Sequence, residues 1–103
     1  MEKYDHLTTE LAPLLSSLAH PARLQIILYL SKMEEAPAGD ISSQLPLCKS
    51  TISEHMSKLK AAGLIHCTPE GVCHKYRLSS TKISAIVGLL KEFADQIQTK
   101  HIM

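Results

Sequence analysis

Apolar residues recur at helical spacing in five stretches of the chain, separated by short polar or proline-containing segments. The first stretch runs from Leu7 to Leu18, and Pro13 within it predicts a late start or a kink. The second follows His20 and Pro21, because the residue before a proline favours extended backbone and proline suits the first helical position. Its buried side is predicted to carry Leu24, Ile27, Leu28 and either Leu30 or Ser31.

The middle of the chain predicts two helices joined by a tight turn. A break at "EEAPAG" precedes a short helix, "DISSQL", which ends at Pro46. In the next helix Ile52, Met56 and Leu59 share one face, and Gly63 is the expected C-terminal stop. The opposite face and its flanks are short and polar, and consist of Ser50, Thr51, Ser53, Glu54, Ser57 and Lys58.

The last third of the chain predicts a hairpin and a long helix. "LIHCT" and "VCHKYRL" read as two strands around the turn "PEG". A serine or threonine at positions 79–81 can cap the final helix, whose apolar stripe is Ile83, Ile86, Val87, Leu90, Phe93, Ala94 and Ile97. The order of elements predicts a mainly α fold with a β-hairpin wing, a winged helix-turn-helix, as a single domain over residues 1–103.

A helix-turn-helix places its second helix in the DNA major groove, where short side chains that donate or accept hydrogen bonds are needed. Hydroxyls contact phosphates or bases, lysines neutralise phosphates, and a carboxylate can accept from cytosine N4. His55 lies beside the buried face and is interpreted as a packing residue or as a phosphate contact. The predicted DNA-binding residues are Lys49, Ser50, Thr51, Ser53, Glu54, His55 and Lys58 on the helix, and Gly71, His74 and Lys75 on the wing.

Composition and charge agree with this interpretation. The chain has 103 residues, 45% of them apolar, so it suits one compact domain whose small core would gain from a partner subunit. Residues 49–79 carry five basic and two acidic side chains, a net charge of +3, which favours a local polyanion-facing surface. No apolar stretch reaches the roughly 20 residues that a bilayer requires, and the start is polar and acidic. We therefore expect a cytoplasmic protein with its cysteines as thiols.

Three stretches resemble the ArsR-type (ArsR/SmtB) winged-helix repressors: "LAHPARLQIILYL", "STISEHMSKLKAAGLI" and the wing ending "HKYRL". The resemblance covers roughly residues 10–97. It implies a homodimeric repressor that binds double-stranded operator DNA with an inverted repeat and leaves it when an inducer, here unknown, binds. It also implies a dimer interface between the first and last helices, which agrees with their apolar stripes. The expected interface residues are Leu7, Leu11, Leu14, Ile83, Ile86, Leu90, Phe93 and Ile97.

The metal-sensing sites that the resemblance would supply are missing from this sequence. Pro37 and Gly39 stand where the family's metal-sensing cysteine pair would be. The last helix offers Asp95 and His101 but no histidine in its first half, so the set of ligands found between the paired last helices in other members is incomplete. We therefore expect no metal and no cofactor.

The three cysteines are candidates for a thiol switch. Cys48 precedes the recognition helix, whose positively polarised N-terminal end favours the thiolate form. The simpler interpretation is that Cys48 is a small, semi-buried packing residue. Cys67 and Cys73 flank the wing turn and are neighbours only if the strand register sets them opposite each other. They would then pair or hold a soft metal with His66 or His74, and otherwise they are ordinary strand cysteines.

Two other functions remain open beside the repressor. One is a thiol-based redox-sensing repressor that uses Cys48 or the pair Cys67 and Cys73. The other is a winged-helix module whose exposed helix docks on protein instead of DNA. An enzyme is not expected, because the sequence has no glycine-rich phosphate loop and no serine or cysteine with a plausible base.

Overall fold

The computed structural model describes residues 5–70 and 73–101, with side chains at 5–68 and 75–98. Five helices and three strands follow one another in the order α1 (His6–Leu18), α2 (Pro21–Leu30), β1 (Ala36–Pro37), α3 (Ala38–Ser43), α4 (Lys49–Ala61), β2 (Ile65–Glu70), β3 (Cys73–Leu78) and α5 (Ser80–His101). The predicted fold class, mainly α with a β-hairpin wing, is confirmed. Within the described residues, no helix is both long and apolar enough to cross a bilayer.

Helix α1 begins earlier than its proline suggested. Asp5 caps it by accepting a hydrogen bond from the backbone N–H of Thr8 at 3.0 Å, which satisfies one of the free donors of the first turn. The helix then continues through Pro13 to Leu18. A late start at Pro13 is therefore wrong, because the capping residue, not the proline, sets the first turn.

Helix α2 buries a different face from the one predicted. His20 caps it through Nδ1, which accepts from the Ala22 N–H at 3.0 Å, and Pro21 occupies the first turn as expected. Ala22, Ile26 and Leu30 are buried, whereas Leu24 and Leu28 are 48% and 56% exposed. The prediction of a buried Leu24 and Leu28 is wrong, since the helix is apolar on two sides and contacts with α4 and β3 select the other one.

One core joins all the elements of the helix-turn-helix. Its fully buried side chains come from α2, α3, α4 and the start of β2, and they are Ile26, Leu30, Ile41, Leu59, Leu64 and Ile65. Ala36, Ile52, Met56 and Ile86 complete the cluster. Each such side chain contributes about 1.5–3 kcal/mol by leaving water, so the core fixes the orientation of α4 more strongly than any single polar contact.

Gly63 ends α4 in the left-handed conformation that the sequence suggested. Its φ is +79°. The N–H of Leu64 donates to the Leu59 carbonyl at 3.0 Å, and the Gly63 N–H donates to the Lys60 carbonyl at 2.9 Å, which together make a Schellman cap. Leu59 and Leu64 are both fully buried, so the cap also starts strand β2 inside the core.

The sheet has three strands in the order β1-β3-β2, and β3 is therefore central. Strand β1 was not predicted, because it is only two residues long and contains a proline. Pro37 pairs with Lys75 and Ala36 with Tyr76. A proline is tolerated there because β1 is an edge strand. Strand β2 also includes Pro69 and Glu70, which the sequence had assigned to the turn.

The predicted dimer residues divide into a buried and an exposed group. Helices α1 and α5 pack on each other within the chain. Leu7, Leu11 and Ile86 are buried, and Leu14 and Ile83 pack partly against the core. The chain's own core thus already covers Leu7, Leu11 and Ile86, and the assignment of the five side chains to a dimer interface stays a prediction.

The other half of the α5 stripe has no cover in the chain. Leu90, Phe93 and Ile97 are exposed, and they continue the line of Ile86 along one side of the helix. Val87 on the same helix is also exposed, as is Leu15 on α1. We call the exposed set of Leu15, Val87, Leu90, Phe93 and Ile97 the apolar face.

Replacement of Gly63 by alanine should destabilise the fold by about 1 kcal/mol, because a side chain at positive φ is strained. The added Cβ would lie 3.1 Å from Lys82 Cε, the flexible end of a side chain, so the strain is mainly in the backbone. Urea unfolding followed by circular dichroism measures the change.

Gly88→Ala is the matched control, because its Cβ meets nothing within 4 Å inside helix α5. Alanine should stabilise that helix by about 0.5–1 kcal/mol. Equal effects of the two substitutions would contradict the assigned cap.

Candidate nucleic-acid interface

Helices α3 and α4 form the helix-turn-helix, joined by residues 44–48. The inner face of α4 is buried through Ile52, Met56 and Leu59, as their spacing predicts. The helix is therefore held by one side only. Its opposite side is left to solvent or to a partner.

The outer side of α4 is polar and accessible. Lys49, Ser50, Ser53, Glu54 and Lys58 are all exposed. Thr51 is half-buried at the flank. The five exposed side chains place two ammonium groups, two hydroxyls and one carboxylate on a single helix surface. These are the chemical groups that contact phosphates and base edges.

A recess lies beside this surface, between α3, α4 and the sheet. It has a volume of about 180 Å³ and is lined by Ala38, Gly39 and Ser42 of α3, by Lys49, Ile52, Ser53 and Met56 of α4, and by Tyr76 of β3. The small residues of α3 leave Lys49 and Ser53 reachable from the side. The polar surface thus extends from α4 towards the base of the wing.

His55 does not belong to the outer surface. Its side chain is only 6% exposed, and its Nδ1 accepts a hydrogen bond from Arg23 Nε at 3.2 Å. Burial, followed by the nearby His20 and Arg23, lowers the pKa of His55. Of the two interpretations, the packing residue is confirmed. The phosphate contact is wrong, because the ring is turned towards α2.

The wing is described up to Glu70 and again from Cys73. Gly71 lies outside the described residues, and for His74 the structure gives the backbone alone, within β3. Lys75 is half-buried on the central strand, where it pairs with Pro37 and Thr68. The assignment of these three residues to DNA contacts stays a prediction.

The strand register separates the two wing cysteines. Cys67 pairs with Tyr76, and Cys73 pairs with Glu70. The two cysteines are therefore not cross-strand partners, and a disulfide or metal pair across the hairpin has no support from the register. Burial, and then the neighbouring Cys67, raises the pKa of the Tyr76 phenol.

Cys48 is the N-cap residue of α4 and is exposed. The interpretation of Cys48 as a semi-buried packing residue is therefore wrong. Its Sγ lies 3.2 Å from Ser50 Oγ and 3.1 Å from Thr51 Oγ1. Hydrogen bonds from Ser50 and then Thr51 lower the pKa of the thiol to about 7. The lowered pKa favours the thiolate, directly beside the outer surface of α4.

Among the side chains at 5–68 and 75–98, no three histidine, cysteine or acidic residues come together as metal ligands would. Asp95, one of the two ligand types found on α5, lies 3.7 Å from Lys91 through Oδ2 and Nζ. The side chain of His101 is outside the described set.

Two parts of this region were missed from the sequence. Arg23 reaches His55 across 32 residues of chain, and no local pattern indicates such a partner. Tyr76 lines the recess because β3 is the central strand, which depends on the undetected β1. The sequence "HPAR" shows only that Arg23 lies in the first turn of α2, close to the capping residue His20. It does not indicate a contact with His55.

Comparison with known proteins agrees with this geometry. The family model described as "Bacterial regulatory protein, arsR family" matches residues 20–66, from the cap of α2 to the start of β2. The transcriptional activator HlyU of Vibrio cholerae is 38% identical over 77 residues, which cover 75% of this chain and 70% of that protein. The biofilm growth-associated repressor of Agrobacterium fabrum is 33% identical over 82 residues, covering 80% and 69%.

A solved structure shows the same architecture. That of HlyU from Vibrio cholerae N16961 superposes with a TM-score of 0.72 at 32% identity, over 87% of this chain and 97% of that one. The matched proteins regulate transcription and share the winged-helix fold. The chain therefore belongs to the ArsR family of bacterial regulatory proteins, and it is a DNA-binding transcription regulator, not an enzyme.

Proposed function

We propose that this protein is a cytoplasmic, homodimeric repressor that binds an inverted-repeat operator through α4. The observation that carries the proposal is the one-sided burial of α4, which leaves Lys49, Ser50, Ser53, Glu54 and Lys58 exposed together. Repression is the direct consequence of occupancy, because a dimer seated on promoter DNA blocks polymerase. The relatives include both an activator and a repressor by name, so the sign of regulation is our own inference.

The first turns of α4 are the part expected to enter the major groove. Lys49 and Lys58 neutralise phosphates, and Ser50 and Ser53 donate to phosphate or base oxygens. Glu54 has only acceptors, so it favours cytosine N4 and disfavours the acceptor edge of guanine. The wing residues Gly71, His74 and Lys75 are proposed to follow the flanking backbone.

The apolar face supports the dimer. A stripe of three large side chains exposed on one helix, with Val87 and Leu15 beside it, is more than a monomer of this size usually leaves in water. A two-fold axis through α5 would bury the face against itself, because such an interface is self-complementary. To read two half-sites one turn of DNA apart, such a dimer must hold its two α4 helices about 34 Å apart.

A second candidate function is favoured by the exposed Cys48 thiol, which lies 3.2 Å from Ser50 Oγ and 3.1 Å from Thr51 Oγ1. In this version the repressor has the same fold and DNA surface, and modification of Cys48 is the trigger for release. Its position at the first turn of α4 supports this, since any group added to Sγ would lie where the helix meets the phosphate backbone.

Ser53→Ala combined with Lys58→Ala should reduce affinity for DNA from upstream of the protein's own gene by about tenfold or more, through one lost hydrogen bond and one lost ion pair. Fluorescence anisotropy measures the affinity, and sedimentation should show an intact dimer. The matched control is Ser31→Ala with Lys32→Ala, the same two residue types exposed just after α2 and away from α4, expected within about threefold of wild type. Equal losses in both variants would move the contact surface elsewhere.

Leu90→Asp should split the dimer and abolish DNA binding at working concentrations, because the charge would be buried at the two-fold interface. Analytical ultracentrifugation and anisotropy report the two effects. Leu28→Asp is the control, a more exposed leucine on α2 outside the apolar face, and it should stay dimeric. Ile86 is unsuitable for this test, since it is part of the chain's own core. A monomeric Leu90→Asp variant with wild-type affinity would refute the paired half-site model.

In a variant that retains Cys48 but carries Cys67→Ser and Cys73→Ser, the rate of alkylation by iodoacetamide should rise with pH around a midpoint of about 7. Ser50→Ala with Thr51→Val should move the midpoint upwards, because the two hydrogen bonds that stabilise the thiolate are gone. Alkylated protein should lose DNA binding, while Cys48→Ser treated in the same way should keep it. Undiminished binding after complete alkylation would exclude Cys48 as the trigger.

A further inference from the structure

Three polar side chains meet where α1 ends, α2 begins and α4 passes over both. Arg23 Nε donates to His55 Nδ1 at 3.2 Å, and Arg23 Nη1 donates to the Ser17 carbonyl of α1 at 3.1 Å. The ring centroids of His20 and His55 are 4.3 Å apart. The cluster therefore links the C-terminal end of α1, the cap of α2 and the middle of the recognition helix, and the proposed DNA contacts make no use of it.

The hydrogen bond fixes the protonation state of His55. A guanidinium is always charged and has only donors, so the Nδ1 atom that it contacts must carry a lone pair. His55 is then neutral, with its proton on Nε2. A second proton on Nδ1 would remove the acceptor and place a second positive charge about 3 Å from Arg23, in a site only 6% exposed.

The surroundings offer little to compensate that charge. Arg23 and His20 face His55 from α2 and its cap, and Lys58 adds a further positive group on α4 itself. Glu54 on α4 is the one acidic group that acts in the opposite sense. From α1 the cluster receives a backbone carbonyl, already bonded to Arg23.

We propose that Arg23 and His55 form a positioning pair that holds α4 against the junction of α1 and α2, and that protonation of His55 breaks the pair and weakens operator binding. This inference rests on the proposed DNA-binding function and assigns it a regulation by acid. The pair lies on the side of α4 that faces the junction of α1 and α2. It therefore acts through the position of the helix and does not contact DNA.

The sign of the pH effect follows from the direction of the shift. The folded-state pKa of His55 is lowered, so the neutral ring stabilises the fold fully above the ordinary value of about 6.5. That stabilisation is lost as the pH falls below this value and through the lowered pKa. If the protonated form does not bind, affinity falls by up to about tenfold for each pH unit below the pKa.

The test compares wild type, His55→Asn and His6→Asn by anisotropy on the upstream DNA at constant salt, in steps downward from about pH 7.5 until wild type begins to unfold. Asparagine places a carbonyl oxygen near the position of Nδ1, so it can still accept from Arg23, but it does not titrate. His55→Asn should bind within about threefold of wild type at the upper pH and lose the acid dependence. His6, exposed beside Glu10 on α1, is the matched control and should behave as wild type.

Circular dichroism at each pH confirms that the compared proteins are folded, and His55→Leu provides a variant without an acceptor. A His55→Asn variant with the full acid dependence of wild type would overturn the proposal, as would a folded His55→Leu variant with unchanged affinity at the upper pH.

Urea unfolding across the same pH range tests the pair without DNA. Wild type should lose stability on acidification more than His55→Asn does, and equal losses would also overturn the proposal. Failure of wild type to bind DNA at any pH would instead refute the proposed function.

Discussion

The burial of one side of α4 is the constraint on which the rest of the molecule depends. Ile52, Met56 and Leu59 face a core built by α2, α3 and β2, and the helix cannot rotate without exposing them. Everything on the other side of the helix is thereby presented outward, including Lys49 and Lys58 of the proposed DNA-binding surface. The Schellman cap at Gly63 extends this constraint into the sheet, because the residue that follows the glycine is itself buried. The position of the wing relative to α4 is thus set by the same core.

Helix α5 serves the core and the surface with one apolar stripe. Its first turns supply Ile86 to the chain's own core, and its later turns carry the same stripe past the end of that core. A chain of 103 residues forms only a small core, so a helix of 22 residues extends beyond that core. The proposed dimer covers the exposed apolar face, and it supplies the two-fold symmetry that an inverted-repeat operator requires.

Much of this fold was predictable from periodicity and breakers, because local spacing determines it. The two faces of α4, the stop at Gly63 and the hairpin all follow from neighbouring residues. Features that depend on distant partners were not predictable. Helix α2 is apolar on two sides, so Leu24 and Leu28 were as plausible a core as Ile26 and Leu30. His55 stands at the edge of the inner face, and its contacts with Arg23, 32 residues away, and with the His20 ring are equally distant in sequence. The register that separates Cys67 from Cys73 is equally non-local.

The most direct test of the DNA-binding surface is the salt dependence of wild-type affinity for DNA from just upstream of the protein's own gene. Each neutralised phosphate contributes about −0.9 to the slope of log affinity against log salt. With Lys49, Lys58 and the proposed wing contact Lys75 contributing from each protomer of a dimer, the expected slope is about −5 between roughly 50 and 200 mM salt. Tight binding with such a slope would support the account. Absent binding, or binding that salt leaves unchanged, would contradict it and favour a protein-docking role for α4.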